Sequence, residues 1–113
     1  MALKKEIELD NGIITNYHRI VSLNKITNQS NMIEVANYTS KEQREKEKEY
    51  QTIQNKNIAK EKLSDDEKTL LNKGINVFIN TMYIAKEYDE NEKIEDVYEF
   101  LKTTEKFKDA KDD

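Results

Sequence analysis

Apolar positions along this chain recur with two different periods, and the change from one to the other divides it. From Leu3 to Leu9 they alternate: Leu3, Ile7 and Leu9 share one side with Lys5, while Lys4, Glu6 and Glu8 take the other. That period of two predicts a strand with one buried face. Asp10-Asn11-Gly12 follows. An Asn-Gly pair tolerates the positive φ values of a two-residue type I′ turn, so a tight hairpin is expected there; a loose loop between non-adjacent strands is the competing reading. Ile13–Ile26 predicts a second, longer strand. One face carries Ile13, Tyr17, Val21 and Leu23 beside Arg19 and Lys25, and the other carries Ile14, Ile20 and Ile26 beside His18 and Ser22. Neither face is cleanly polar, as expected of a strand covered on both sides or twisted enough to change partners. Asn28–Asn31 reads as the next turn and Met32–Thr39 as the return strand, with Ile33 and Val35 on its core side. Asn11–Tyr38 is thus one long β-hairpin.

At Lys41 the period changes. Strong helix formers run to Glu49, with i,i+4 charge pairs such as Glu42–Lys46, which favours a helix. Thr39 with Glu42 has the spacing of a capping box. Apolar residues over 41–62 are only Tyr50, Ile53, Ile58 and Ala59, too sparse for a continuous stripe. An exposed helix, an extended charged arm and a mobile insertion all remain open for this stretch. Ser64-Asp65-Asp66-Glu67 is a sharper start signal, with Ser64 and Glu67 able to cap reciprocally. Leu70 and Leu71 form the buried side of that short helix, and Gly74 is its stop. Ile75–Tyr88 returns to the strand period with large apolar groups on both faces, and is read as a central strand. Over Glu92–Phe107, Ile94, Val97, Tyr98 and Leu101 repeat at i, i+3, i+4, i+7, a stripe suited to lie across a sheet. Lys102, Lys106 and Lys108 collect at its C-terminal end, as the helix dipole prefers. Residues 109–113 are expected to fray.

These elements predict an α+β fold. It is a small, mostly antiparallel sheet built on the N-terminal hairpin, with a charged, partly helical insertion over 41–73 and a C-terminal helix on the sheet. A length of 113 residues suits one domain. Apolar residues are 35% and charged ones 37%, a lean core for that size. The two-sided strands would bury more than one helix covers, so their second face is expected to meet another subunit in a homo-oligomer. No apolar run is long enough to span a membrane. Ala2-Leu3 passes straight into Lys4, Lys5 and Glu6, so no secretory signal is expected.

Charge and chemistry narrow the function classes. Residues 64–113 carry 8 basic against 14 acidic groups, the wrong sign for a phosphate backbone. Arg19, Lys25, Lys41 and Arg44 with Tyr17 and Tyr38 would make a basic aromatic patch, but Glu42, Glu45, Glu47 and Glu49 cancel its field. Nucleic acid is therefore not expected as a partner. With no cysteine, thiolate metal sites and disulfides are excluded. Asp65-Asp66-Glu67 and Asp89-Glu90-Asn91-Glu92 lack the spacing of a calcium loop, and capping and solvation account for both. The lone His18 has no acid or nucleophile within reach along its strand, and Gly12 and Gly74 form no phosphate cradle. No catalytic, cofactor or metal residue is assigned, and the chain is expected not to be an enzyme. Six tyrosines and three phenylalanines are enough for an aromatic contact surface.

Several strings carry a resemblance. Met1-Ala2-Leu3-Lys4-Lys5-Glu6-Ile7, Tyr17-His18-Arg19-Ile20, Ile33-Glu34-Val35 with Tyr38-Thr39-Ser40, Asn76-Val77-Phe78-Ile79, and Glu95-Asp96-Val97-Tyr98-Glu99-Phe100-Leu101-Lys102 resemble small structural proteins from the tail or baseplate regions of phages and prophages of Gram-positive bacteria. The resemblance touches both ends and the main strands and is thinnest over Lys46–Lys73, which looks like an insertion. It implies a non-enzymatic virion part acting in repeated copies and through contacts with neighbouring tail proteins. Such a part would reside in the bacterial cytoplasm during assembly and afterwards in the virion. Tyr17, Arg19, Tyr38, Phe78 and Tyr83 are the interface residues expected on that reading. The rival is an intracellular adaptor or regulator whose acidic C-terminal helix, displaying Asp96 and Glu99, docks on a basic partner.

Overall fold

A computed structural model of the chain describes residues 1–74 and 78–113. The elements are β1 (Leu3–Glu8), β2 (Ile14–Ile26), β3 (Ser30–Tyr38), α1 (Lys41–Ile58), α2 (Asp65–Lys73), β4 (Phe78–Lys86), α3 (Ile94–Leu101) and β5 (Lys111–Asp112). The strands form one antiparallel sheet in the order β4-β3-β2-β1-β5. The α+β class, the N-terminal hairpin and the covering C-terminal helix are as the pattern predicts. Residues 41–73 are largely two helices, and α1 is not the fully exposed helix among the open readings, since it buries Arg44, Glu47 and Ile53.

Both turns differ in detail from expectation. Gly12 N–H donates to Leu9 O and Leu9 N–H to Ile13 O, each at 2.8 Å. Gly12 has φ 82° while Asn11 stays out of the left-handed region. Asp10-Asn11-Gly12 is therefore a three-residue loop closed by a left-handed glycine, not a two-residue type I′ turn. The second turn covers Thr27–Gln29, with Asn28 at φ 58° and Ile26 pairing with Ser30.

A bulge explains why β2 has no polar face. Ile20 pairs with Val35 and Ser22 with Glu34, leaving Val21 as an extra residue. The extra residue shifts side-chain alternation by one position. Ile20 and Leu23, opposite in parity, both turn to the cluster under α3, while Val21 packs on the other side. The displaced backbone is held by α3. Tyr98 OH accepts from Ile20 N–H at 2.9 Å and donates to Met1 O at 2.8 Å.

Under α3 the core is built from Leu3, Ile33, Val35, Val97, Leu101 and Phe107, all nearly inaccessible. The opposite face carries Ala2, Tyr17, Ala36 and Tyr38, and α1 lies against its Tyr38 end. α1 covers the Tyr17–Tyr38 part of that face within the chain, while Phe78 and Tyr83, which pair with Tyr38 and Glu34 on the same face, stay exposed.

The remaining differences concern the ends of elements. The strand expected over Ile75–Tyr88 is β4, and it lies at the edge of the sheet rather than at its centre; the part of that expectation falling on 75–77 lies outside the described residues. The C-terminal helix ends at Leu101, not Phe107, and turns carry the chain to Asp109. Ile94, expected in its stripe, is 40% exposed. The tail expected to fray is placed against β1: Leu3 and Lys4 pair with Asp112 and Lys111, Asp113 N–H donates to Ala2 O at 3.1 Å, and Lys102 and Lys41 pair with Asp112 and Asp113. Ser64 and Glu67 form the predicted capping box, whereas α1 starts at Ser40 without a side-chain cap. Leu70 and Leu71 are only half-buried, and α2 buries no residue fully.

Candidate protein interface

The most charged part of the sequence supplies a buried polar cluster. α1 turns Arg44 and Glu47 inward, each with a side chain about a tenth exposed. Glu47 Oε1 accepts from Tyr38 OH at 2.6 Å and from Arg44 Nη1. Arg19 Nε donates to Tyr38 OH at 3.2 Å and lies 3.8 Å from Glu47, and Arg44 Nη1 also donates to Gln51 at 3.0 Å. A carboxylate between two guanidiniums and a phenol is satisfied internally, which is what a buried charge requires. Residues 44, 47 and 51 share a helix face by spacing, but a polar face in a charged run gives no hydrophobic signal, so this contact is hidden in the sequence.

His18 is likewise spent inside the fold. Its ring lies 2.6 Å from Asn37 Oδ1 and 2.8 Å from Lys5 O, edge-on to Phe107 with centroids 5.2 Å apart. Asn37 Nδ2 donates to Asn80 Oδ1 at 2.8 Å. This ladder runs across β2, β3 and β4 at one level of the sheet.

The expected interface residues separate into two groups. Tyr17 and Tyr38 are 5% and 0% exposed and stack edge to face, so they pack inside the chain, whereas Arg19 bonds to Tyr38 and pairs with Glu47 while its side chain stays 24% exposed. Phe78 and Tyr83 stand on β4 at 40% and 65% exposure, with Ile79 beside them at 39%. Tyr83 OH donates to Glu34 at 2.8 Å, which fixes its ring against the sheet. β3 pairs along one side of β4, and among the described residues no strand pairs along the other. β4 is nine residues long, contains no proline or glycine, and has one charge, Lys86, at its end. Lys86 is itself held 3.3 Å from Glu92 and 5.4 Å over the Phe100 ring. Where Asn80 and Met82 face the β1–β2 loop, a groove of about 410 Å³ opens between them and Ile7 and Leu9.

The acidic clusters are structural. Glu67 accepts from Ser64 N–H and from Lys56, and these bonds hold its carboxyl below the usual carboxylate range. Asp89 accepts from Asn91 N–H, which holds it low in the same way. Among the described residues no group of three or more His, Cys, Asp or Glu side chains is arranged to hold a metal. Asp96 and Glu99 are exposed on α3, and Glu99 is paired with Lys102.

Two buried phenols tie the stability of the fold to alkaline pH. Burial pushes Tyr98 up; burial and then the bond to Glu47 push Tyr38 up. An unfolded chain ionising at the ordinary value near pH 10 releases these protons before the folded chain does. The stability they confer is complete below that value and is lost as the pH rises through the folded ones. The melting temperature is expected to fall above about pH 10, and to fall less steeply in Tyr98→Phe; equal slopes in thermal melts of the two proteins refute the assignment.

An α+β domain with one unguarded sheet edge and no assembled reactive cluster among its described residues is the class these features define. Comparison with protein-family models, curated proteins and solved structures returns no match.

Proposed function

We propose that this protein is a non-enzymatic structural component of a phage or prophage virion, in its tail or baseplate, that works by assembling with copies of itself and with neighbouring tail proteins. The observation that carries the assembly half of this reading is the outer edge of β4, along which no strand pairs among the described residues and where Phe78, Ile79 and Tyr83 are exposed. Such an edge pairs readily with another strand. The resemblance of the terminal and strand sequences to tail-region proteins supports the virion half. The side chains with chemical potential, His18, Arg19, Arg44 and Glu47, are occupied by internal contacts, which suits a building block better than a catalyst. Immunogold labelling of particles released from the source bacterium tests the reading. Label on tails or baseplates supports it; protein present in the cells but absent from purified particles overturns it.

A further inference from the structure

We propose that the occupant of the β4 edge is a second copy of the same strand, antiparallel about a two-fold axis at Met82. Two five-stranded sheets then become one continuous sheet. The inference rests on the assembly reading above and specifies its first contact.

The two edges of this sheet are treated differently. β5 is only two residues long, Lys111 and Asp112, both charged. Short length and charge are standard protections against strand addition. β4 has neither along residues 78–85, and its one local irregularity, between Asn37 and Tyr38 of the partner strand, lies at the Phe78 end. An edge left uncharged over eight of its nine residues has the chemistry to accept a strand.

Charge selects the orientation. In a parallel pairing in register, two Lys86 ammoniums would lie on adjacent strands about 4.8 Å apart. In the antiparallel pairing centred on Met82, the midpoint of β4, they lie at opposite ends, about 26 Å apart along the strand. That arrangement is also isologous, so it closes at two copies. Its register is self-consistent. Met82 meets Met82 of the second copy, and Tyr83 stands opposite Thr81 of the second copy. Tyr83 is then diagonal to Ile79 and Tyr83 of that copy, within reach of an aromatic ring. Ile79 and Tyr83 of the two copies therefore cover one another, while Phe78 falls opposite the alkyl stem of Lys86 of the second copy. On the other face Ile84 of the second copy falls opposite Asn80, beside the groove floored by Ile7 and Leu9, where an aliphatic side chain finds apolar contact.

The chain has no cysteine, so single-cysteine variants report on the contact cleanly. Analytical ultracentrifugation of the full chain over a concentration series is expected to give twice the 13.4 kDa chain mass. The double variant Ile79→Lys/Tyr83→Lys, changed at two exposed positions, is expected to sediment as a folded monomer with an unchanged far-ultraviolet circular dichroism spectrum. Under mild oxidation Met82→Cys is expected to cross-link to a covalent dimer at least ten-fold faster than Lys4→Cys, on an exposed site away from β4. A monomer at all concentrations overturns the proposal. So does a dimer that survives the double variant and shows no selective cross-linking through position 82. Either failure leaves the virion reading standing if the particles carry label. A cross-linked dimer with unlabelled particles overturns the virion reading and leaves this contact in place.

Discussion

Replacing Glu47 with leucine is expected to destabilise the protein by about 3 kcal/mol, because it strands Arg44 and Arg19 without their shared carboxylate. The loss is far greater than for a surface pair, which contributes about 1 kcal/mol or less, since the Arg44 and Glu47 side chains are both about nine-tenths buried. In a domain of this size it lowers the melting temperature by roughly 10–20 °C. The mechanism makes a second, opposite forecast. Adding Arg44→Met to Glu47→Leu removes one uncompensated charge and restores apolar contact, so the double variant is more stable than the single one. Urea denaturation of the wild type, both single variants and the double variant completes the cycle. Additive losses would show that α1 is held by Ile53 and its other apolar contacts, and that the cluster is incidental.

Phe107→Ala is expected to cost about 3–5 kcal/mol, the range for removing a fully buried aromatic ring. Phe107 is 0% exposed and lies in the irregular segment after α3. It anchors that segment in the core beside Leu3 and Leu101 and holds the edge of the His18 ring. Its loss frees the path from Leu101 to β5, so the amides of Ala110 to Asp113 should exchange with solvent much faster, in step with the fall in global stability. Phe107→Leu keeps most of the volume and should cost less than half as much. If the alanine variant melts as the wild type does, the C-terminal segment is not part of the cooperative core.

The tail illustrates what could not be read from residues alone. Asp109-Ala110-Lys111-Asp112-Asp113 has the composition of a frayed terminus, and its attachment depends on where β1 leaves an edge within reach. Lys102 and Lys41 then supply the counter-charges. Among the five expected contact residues the sequence could not separate inner from outer aromatics. Tyr17 and Phe78 both sit in alternating runs. The first is internal because β1 and β3 flank its strand, and the second is open because β4 ends the sheet. Strand order is a property of the whole chain, so no local pattern distinguishes them.

Local physics determined much of this protein in advance. Alternation placed β1, β2 and β3, the Ser64–Glu67 capping box placed the start of α2, and the spacing of Val97, Tyr98 and Leu101 placed α3 against the sheet. Each of these follows from energies acting between residues a few positions apart. The tertiary structure alone decided that α1 covers the Tyr38 end of the second face through Glu47, that a bulge at Val21 reconciles the two apolar faces of β2, and that β4 and β5 are the end strands of the sheet. Those outcomes depend on contacts between residues far apart in the chain, Tyr98 with Ile20 and Asp112 with Leu3 among them, whose pairing local preferences do not encode.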